Sequence, residues 1–319
     1  MSRAPSPALS CEAREGKGGA PRLFRLAAGR ATLAAMNILS IQSHVAYGHV
    51  GNSAAVFALQ RLGVEVWPVH TVQFSNHAGY GALRGKAFDA GLIDDCVTGV
   101  AERGALAQCD GLISGYVGSA ETGEAIIRAV HRMKKENPRA LYCCDPVIGD
   151  AGPGVFVKPG VPEFFADSAL AVADIVTPNH FELEWLTAKP IVGMKGFRAA
   201  IDALHARGPT IVLVTSAHLA DTPDDCVDLF VSSFEGVFRI RTPRLPVTFN
   251  GSGDVVAALF FAHCLQTQSP KTALERASAS IFSILERTHE EGRHELMLIE
   301  AQDQLVAPTT TFVAEEITQ

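Results

Sequence analysis

A chain of 319 residues is long enough for one large or two ordinary domains, and 47% hydrophobic with 19% charged residues suits a globular protein with a sizeable core. The formal net charge of −7 comes without a basic patch, which argues against nucleic acid as a partner. No apolar run approaches the roughly 20 residues that cross a bilayer, which argues against a membrane as one.

Residues 1–35 differ from the rest. Arg3, Arg14, Arg22, Arg25 and Arg30 lie among Ser, Pro, Gly and Ala, with no clear apolar period. The segment is read as a disordered or mis-started extension. A targeting peptide is the competing reading, and Glu12 and Glu15 count against it. From Met36 a regular pattern begins, and 36–319 is read as one domain.

Its predicted elements run as follows. A strand at 37–41 leads to a helix at 51–62 that ends at Gly63, then a strand at 65–72. A helix at 92–104 precedes a strand at 111–114. The helix at 119–137 has Ser119 as its cap and Pro138 just past its end. Strands follow at 140–144 and 174–176, with a helix starting near Asn179. A helix at 197–206 leads into the apolar strand 210–215, and 227–231 with 237–241 reads as a hairpin. Two helices close the pattern, at 252–267 and 270–287. Strands alternating with helices imply an α/β fold: a mostly parallel central sheet covered by helices on both faces. Ligands of such sheets bind beyond the carboxyl ends of the strands.

The seven cysteines (Cys11, Cys96, Cys109, Cys143, Cys144, Cys226 and Cys264) form no CxxC pair. They are read as reduced thiols of a cytoplasmic protein. Cys143 and Cys144 are neighbours in a strand and should face opposite ways, which makes them a poor metal pair.

Polar clusters fall where strands are expected to end: Ser43 with His44; Asp145-Pro146-Val147; and Thr177-Pro178-Asn179-His180-Phe181-Glu182. A fourth cluster, Asn250-Gly251-Ser252-Gly253-Asp254, opens the apolar helix at 252–267. Free amides and the helix dipole make such an opening a phosphate site, and glycines let the phosphate approach. An aspartate there suits removal of a proton from an attacking hydroxyl, or else is an ordinary first-turn acid. Asp145 and Glu182 are hard-oxygen candidates for magnesium, held directly or through water. Asn179 and Glu182 also have capping-box spacing. Phe74 and His77 can sandwich a flat heteroaromatic ring, Tyr116 is a similar candidate, and 149–158 reads as a lid or a plain loop. Gly48, Gly51 and Asn52 do not match the dinucleotide fingerprint, and no Gly-Lys-Ser/Thr occurs, so neither familiar nucleotide cradle is present.

Taken together the segments resemble the pyridoxal kinases of the ribokinase superfamily, the bacterial PdxY type in particular. The likeness is carried by Ile41-Gln42-Ser43-His44-Val45-Ala46-Tyr47-Gly48, Gly51-Asn52-Ser53-Ala54-Ala55 and Thr71-Val72-Gln73-Phe74-Ser75-Asn76-His77. It continues through Ser114-Gly115-Tyr116-Val117-Gly118, Cys144-Asp145-Pro146-Val147, Gly251-Ser252-Gly253-Asp254 and Ala301-Gln302-Asp303. The resemblance implies a ribokinase-like fold and ATP-dependent phosphorylation of the 5′-hydroxymethyl group of pyridoxal, with Mg2+ and K+ as ions and a homodimer as the assembly. It further implies Asp254 as general base and the amides of Gly251, Ser252 and Gly253 as an anion hole. Ser43, Val72, Phe74, His77, Ala78, Gly79 and Tyr116 would contact the acceptor. Asp145, Thr177, Glu182 and Thr215 would serve ATP, with Asp145 and Glu182 helping to place magnesium. Ala78 stands where a threonine often follows Asn-His in the family, and Thr215 where bacterial relatives often have a lysine. Both departures bear on affinity rather than chemistry. Two alternatives remain: a kinase of another hydroxymethyl heterocycle such as a hydroxymethylpyrimidine, and a pyridoxal-binding protein with weak catalysis.

Overall fold

The computed structural model of the chain describes residues 36–318. The 1–35 extension lies outside the described residues.

The strands are β1 (Asn37–Val45), β2 (Glu65–Phe74), β3 (Gly85–Ala87), β4 (Gly111–Ser114), β5 (Leu141–Cys144), β6 (Gly149–Asp150), β7 (Gly154–Val155), β8 (Ile175–Val176), β9 (Ile211–Ala217), β10 (Cys226–Ser233), β11 (Gly236–Pro243) and β12 (Glu315–Glu316). Ten of these form one sheet in the order β12-β11-β10-β9-β8-β5-β4-β1-β2-β3, and β6 pairs only with β7. From β2 to β9 every neighbouring pair is parallel; β3 at one edge and β10, β11 and β12 at the other run antiparallel. The fold is therefore the expected mostly parallel α/β sheet.

The helices are α1 (Asn52–Arg61), α2 (Ala90–Glu102), α3 (Ala120–Glu136), α4 (161–172), α5 (His180–Thr187), α6 (Met194–His205), α7 (Ser252–Thr267) and α8 (Pro270–Glu290). Alternate strand residues feed two cores, one on each face of the sheet. Leu39, Leu112, Tyr142 and Cys144 meet α2 to α6, whereas Ile38, Ile113, Leu141 and Cys143 meet α1, α7 and α8. Cys143 and Cys144 thus face opposite ways. The helix α7 is buried along Val255–Cys264 and packs between α1 and α8, which explains its unbroken apolar run. Gly111 belongs to this packing, since a Cβ there would run into the Phe261 ring.

Two expectations are corrected and one element is new. Ser43 and His44 lie inside β1 rather than after it, because the ladder to β2 continues through His44↔Gln73 and Val45↔Phe74 beyond an irregularity at Gln42/His44. The 149–158 stretch is not a plain loop in its first half: Gly149 to Val155 is a small antiparallel hairpin. The helical segment α4, missing from the sequence reading, begins after Gly160 with Pro162 in its first turn, a position where proline suits a helix.

Candidate active site

The parallel strands aim their carboxyl ends at one edge, and the start of α7 faces that edge. Gly251 precedes α7 in a left-handed conformation (φ 87), and a Cβ on it would collide with the carbonyl oxygen of His49. Gly51 (φ 53) is pressed in the same way against the carbonyl and hydroxyl oxygens of Ser43. Gly251 thus lets the α7 loop touch the β1–α1 loop through the backbone, and Gly51 lets the β1–α1 loop fold back on β1. That contact brings the Gly51 N–H to the Asp254 carboxylate. Burial pushes the Asp254 pKa up to about 6, against the hydrogen bonds from Gly51 and from its own amide. Gly253 is different: it is exposed, and a Cβ there would meet nothing within 4 Å.

Asp145 follows β5 and is buried; its Oδ1 accepts from the Thr177 hydroxyl at 2.8 Å. Burial, and then the charge of Asp254, raises its pKa. Glu182 is buried too. Its Oε1 accepts from the amides of Ile148 (2.9 Å) and Gly149 (3.4 Å), and its Oε2 from that of Asn179 (2.9 Å), completing the capping box of α5. Burial and the charge of Asp145 push its pKa up. Acidic groups that oppose one another in this way suit an incoming cation. Among the described residues no group of three or more His, Cys, Asp or Glu side chains could hold a metal. The carboxylates of Asp145 and Glu182 are two hard oxygen donors, the type that Mg2+ takes together with waters and phosphate oxygens.

A cleft of about 920 Å³ opens beside Ser252 and Gly253. Thr215 lies along it, next to Ser216 in the strained left-handed region (φ 51). Val227, Leu229, Val256, Ile281 and Phe282 supply apolar walls, and Asp150 brings the β6–β7 hairpin to the rim. The size and lining suit a nucleotide.

The expected acceptor residues sit at the ends of β1, β2 and β4. Ser43 is buried, Phe74 and Tyr116 are half-buried, and Ala78 and Gly79 are exposed. The Thr71 hydroxyl holds the Tyr116 carbonyl at 2.8 Å. Val72 is completely buried, so it stands behind the wall rather than on its surface. The ring against His77 is that of Tyr80, tilted by 36° at 4.6 Å between centroids. Glu295, which the sequence reading did not single out, is hydrogen-bonded to both. It lies more than two hundred residues away in the chain and in no local motif, so nothing in the sequence marked it.

The family model for phosphomethylpyrimidine kinase matches residues 107–298, more than half of the chain. The chain is 50% identical over 284 residues to "Pyridoxal kinase PdxY" of Granulibacter bethesdensis, covering 88% of this chain and 99% of that protein. It is 49% identical over 287 residues to the protein of the same name from Deinococcus radiodurans, with coverages of 88% and 96%. The chain belongs to the pyridoxal kinase family. Its fold is similar to that of the pyridoxal kinase from Leishmania donovani in complex with ADP and pyridoxamine, with a TM-score of 0.82, 27% identity and coverages of 88% and 99%. It is also similar to the pyridoxal kinase of Entamoeba histolytica with PLP, with a TM-score of 0.80, 25% identity and coverages of 89% and 100%. Pyridoxal kinases of both bacterial and protozoan origin thus match nearly their whole length.

Proposed function

We propose that residues 36–319 act as a single ATP-dependent kinase domain that transfers the γ-phosphoryl group of ATP to the 5′-hydroxymethyl oxygen of pyridoxal. The observation that carries this reading is the placement of Asp254: a half-buried carboxylate in the first turn of α7, next to Ser252 and Gly253 of a nucleotide-sized cleft and accepting from the Gly51 amide of the β1–α1 loop. Asp254 takes the proton as the hydroxyl oxygen attacks phosphorus. The bond from phosphorus to the bridging oxygen breaks, and ADP leaves. The amides of Gly251, Ser252 and Gly253, at the positive end of α7, face the charge on the transferred group. Such a reaction needs positioning and charge stabilisation more than covalent help from the protein. Asp145, directly or through water, and Glu182, through water, would help hold Mg2+, which supplies charge neutralisation at the phosphates. Thr177 positions Asp145, and Thr215 borders the nucleotide. Ser43, Phe74, His77, Ala78, Gly79 and Tyr116 line the acceptor pocket, with Val72 behind them. In the family reading K+ is a further ion, and the protein works in the cytoplasm as a homodimer, which light scattering during gel filtration measures.

The family model's description favours one second reading, a pyrimidine acceptor. A panel of pyridoxal, pyridoxine, pyridoxamine and hydroxymethylpyrimidine, each with ATP and Mg2+, separates the two. A higher kcat/KM for the B6 vitamers is expected, and a higher value for the pyrimidine would reverse the reading.

The base must be ionised to act. With its pKa raised to about 6, activity should be lost as pH falls through that value rather than near 4. Below it, kcat/KM should drop about tenfold per pH unit. A profile that stays flat down to pH 5 would remove Asp254 from the role of base.

A further inference from the structure

Glu295 lies beyond the end of α8, and its carboxylate ties three stretches of chain together. Its Oε1 accepts from the Tyr80 hydroxyl at 2.6 Å and from Nε2 of His77 at 3.0 Å, and its Oε2 accepts from the His49 amide at 3.1 Å. Gly48, in the left-handed region (φ 94), comes so close that a Cβ there would meet Oε2 at 2.6 Å. The inner part of the cluster is covered, with the side chains of His77 and Glu295 12% and 17% exposed, whereas Tyr80 and Tyr47 lie on the surface. Burial would raise the Glu295 pKa, but the hydrogen bonds from Tyr80, His77 and His49 outweigh it and hold the group below the usual range. The groups facing the carboxylate are therefore His77 and Tyr80 from the β2–β3 loop and the His49 amide from the β1–α1 loop, with the Tyr47 ring tilted against that of Tyr80 at 5.9 Å between centroids.

A carboxylate facing Nε2 requires the proton on that nitrogen. In the neutral ring Nδ1 is then an acceptor, and it is buried with no partner. The nearest atoms around a Cβ built on Gly79 are Nδ1 and Cε1 of His77 and the side-chain nitrogen of Asn250, at 2.9, 3.0 and 3.1 Å. Nδ1 thus lies between the β2–β3 loop and the glycine run that begins at Gly251. A buried acceptor without a partner costs about 1–3 kcal/mol, a cost that the Glu295 contact imposes by keeping the proton on Nε2.

We propose that Glu295 is a positioning residue for the acceptor substrate: it locks His77 and the 76–84 loop against the 47–50 loop, and so fixes one wall of the ring pocket and the tautomer of His77. This rests on the reading of those loops as the pyridoxal pocket.

Two measurements on the full chain test it. In the first, Glu295→Ala, Glu295→Gln and Tyr80→Phe are compared with the native protein in pyridoxal phosphorylation. Charge-assisted hydrogen bonds of this kind carry enough energy for about a tenfold rise in KM. Glu295→Ala should raise KM for pyridoxal by about that factor while KM for ATP stays within about twofold. Glu295→Gln, which keeps an accepting oxygen, should recover most of the loss, and Tyr80→Phe should fall between. Equal changes in both KM values, or none, would overturn the proposal. In the second, amide hydrogen exchange is read without substrate. Glu295→Ala should speed exchange in both the 47–50 and the 76–84 loops, and faster exchange confined to the segment around residue 295 would overturn it. The exchange result needs no turnover, so it stands apart from failure of the kinase reading itself.

Discussion

Asp254→Asn should lower kcat for pyridoxal phosphorylation by about 10²–10⁴-fold, the usual contribution of a positioned base. Its melting temperature should stay at or slightly above that of the native protein. The stability half of this expectation follows from the site. Burial already raises the Asp254 pKa to about 6, so the folded chain holds this charge at a cost near neutral pH. Asparagine keeps an oxygen for the Gly51 amide and removes the charge, but it cannot take a proton. Steady-state kinetics and a thermal melt check both halves. Native turnover in the variant, or a collapse of its melting temperature, would contradict the account.

The second large effect separates two glycines that look alike in the sequence. Gly251→Ala places a Cβ in the left-handed region and against the His49 carbonyl. That combination of strain and collision should destabilise the fold by about 1–3 kcal/mol and draw the β1–α1 loop away from Asp254. Gly253 sits inside the first turn of α7, where its Cβ would meet no protein atom. Gly253→Ala should therefore be neutral or stabilising by up to about 1 kcal/mol. Gly253 lines the nucleotide cleft, so an added methyl group there should lower kcat/KM for ATP. Thermal melts and ATP titrations of the two variants check the contrast. Equal loss of stability in both would show that the loop is packed differently.

Much of the fold was legible because its signals are local. The start of α7 at Ser252 followed from glycines preceding an unbroken apolar run, and the strand at Gly111–Ser114 from its small apolar block between breakers. Ser119 and Asn179 cap their helices through side chains that accept from the amides of Thr122 and Glu182, as the spacing indicated. Capping accounts for only part of Glu182, however. Its second oxygen reaches the amides of Ile148 and Gly149 on another strand end, and no sequence spacing encodes that.

The parts that were missed depend on contacts between distant segments. Polar Ser43 and His44 look like a strand end, yet the ladder to β2 carries β1 through them. The β6–β7 hairpin is too short and too rich in glycine to show a period of two. The segment α4 has apolar residues without a clean helical stripe, and it is the packing of Phe164 and Phe165 into the core that makes it helical. The Tyr80 ring beside His77 was also missed, because nothing in the local spacing pairs the two. Glu295 could be found only once the chain had brought α8 back beside the β2–β3 loop.

The most direct measurement of the central claim follows formation of pyridoxal 5′-phosphate by absorbance, with purified native chain and Asp254→Asn side by side, in ATP and Mg2+. The account predicts steady, ATP-dependent product formation by the native chain and almost none by the variant. No product from the native chain, or equal rates from the two, would contradict it.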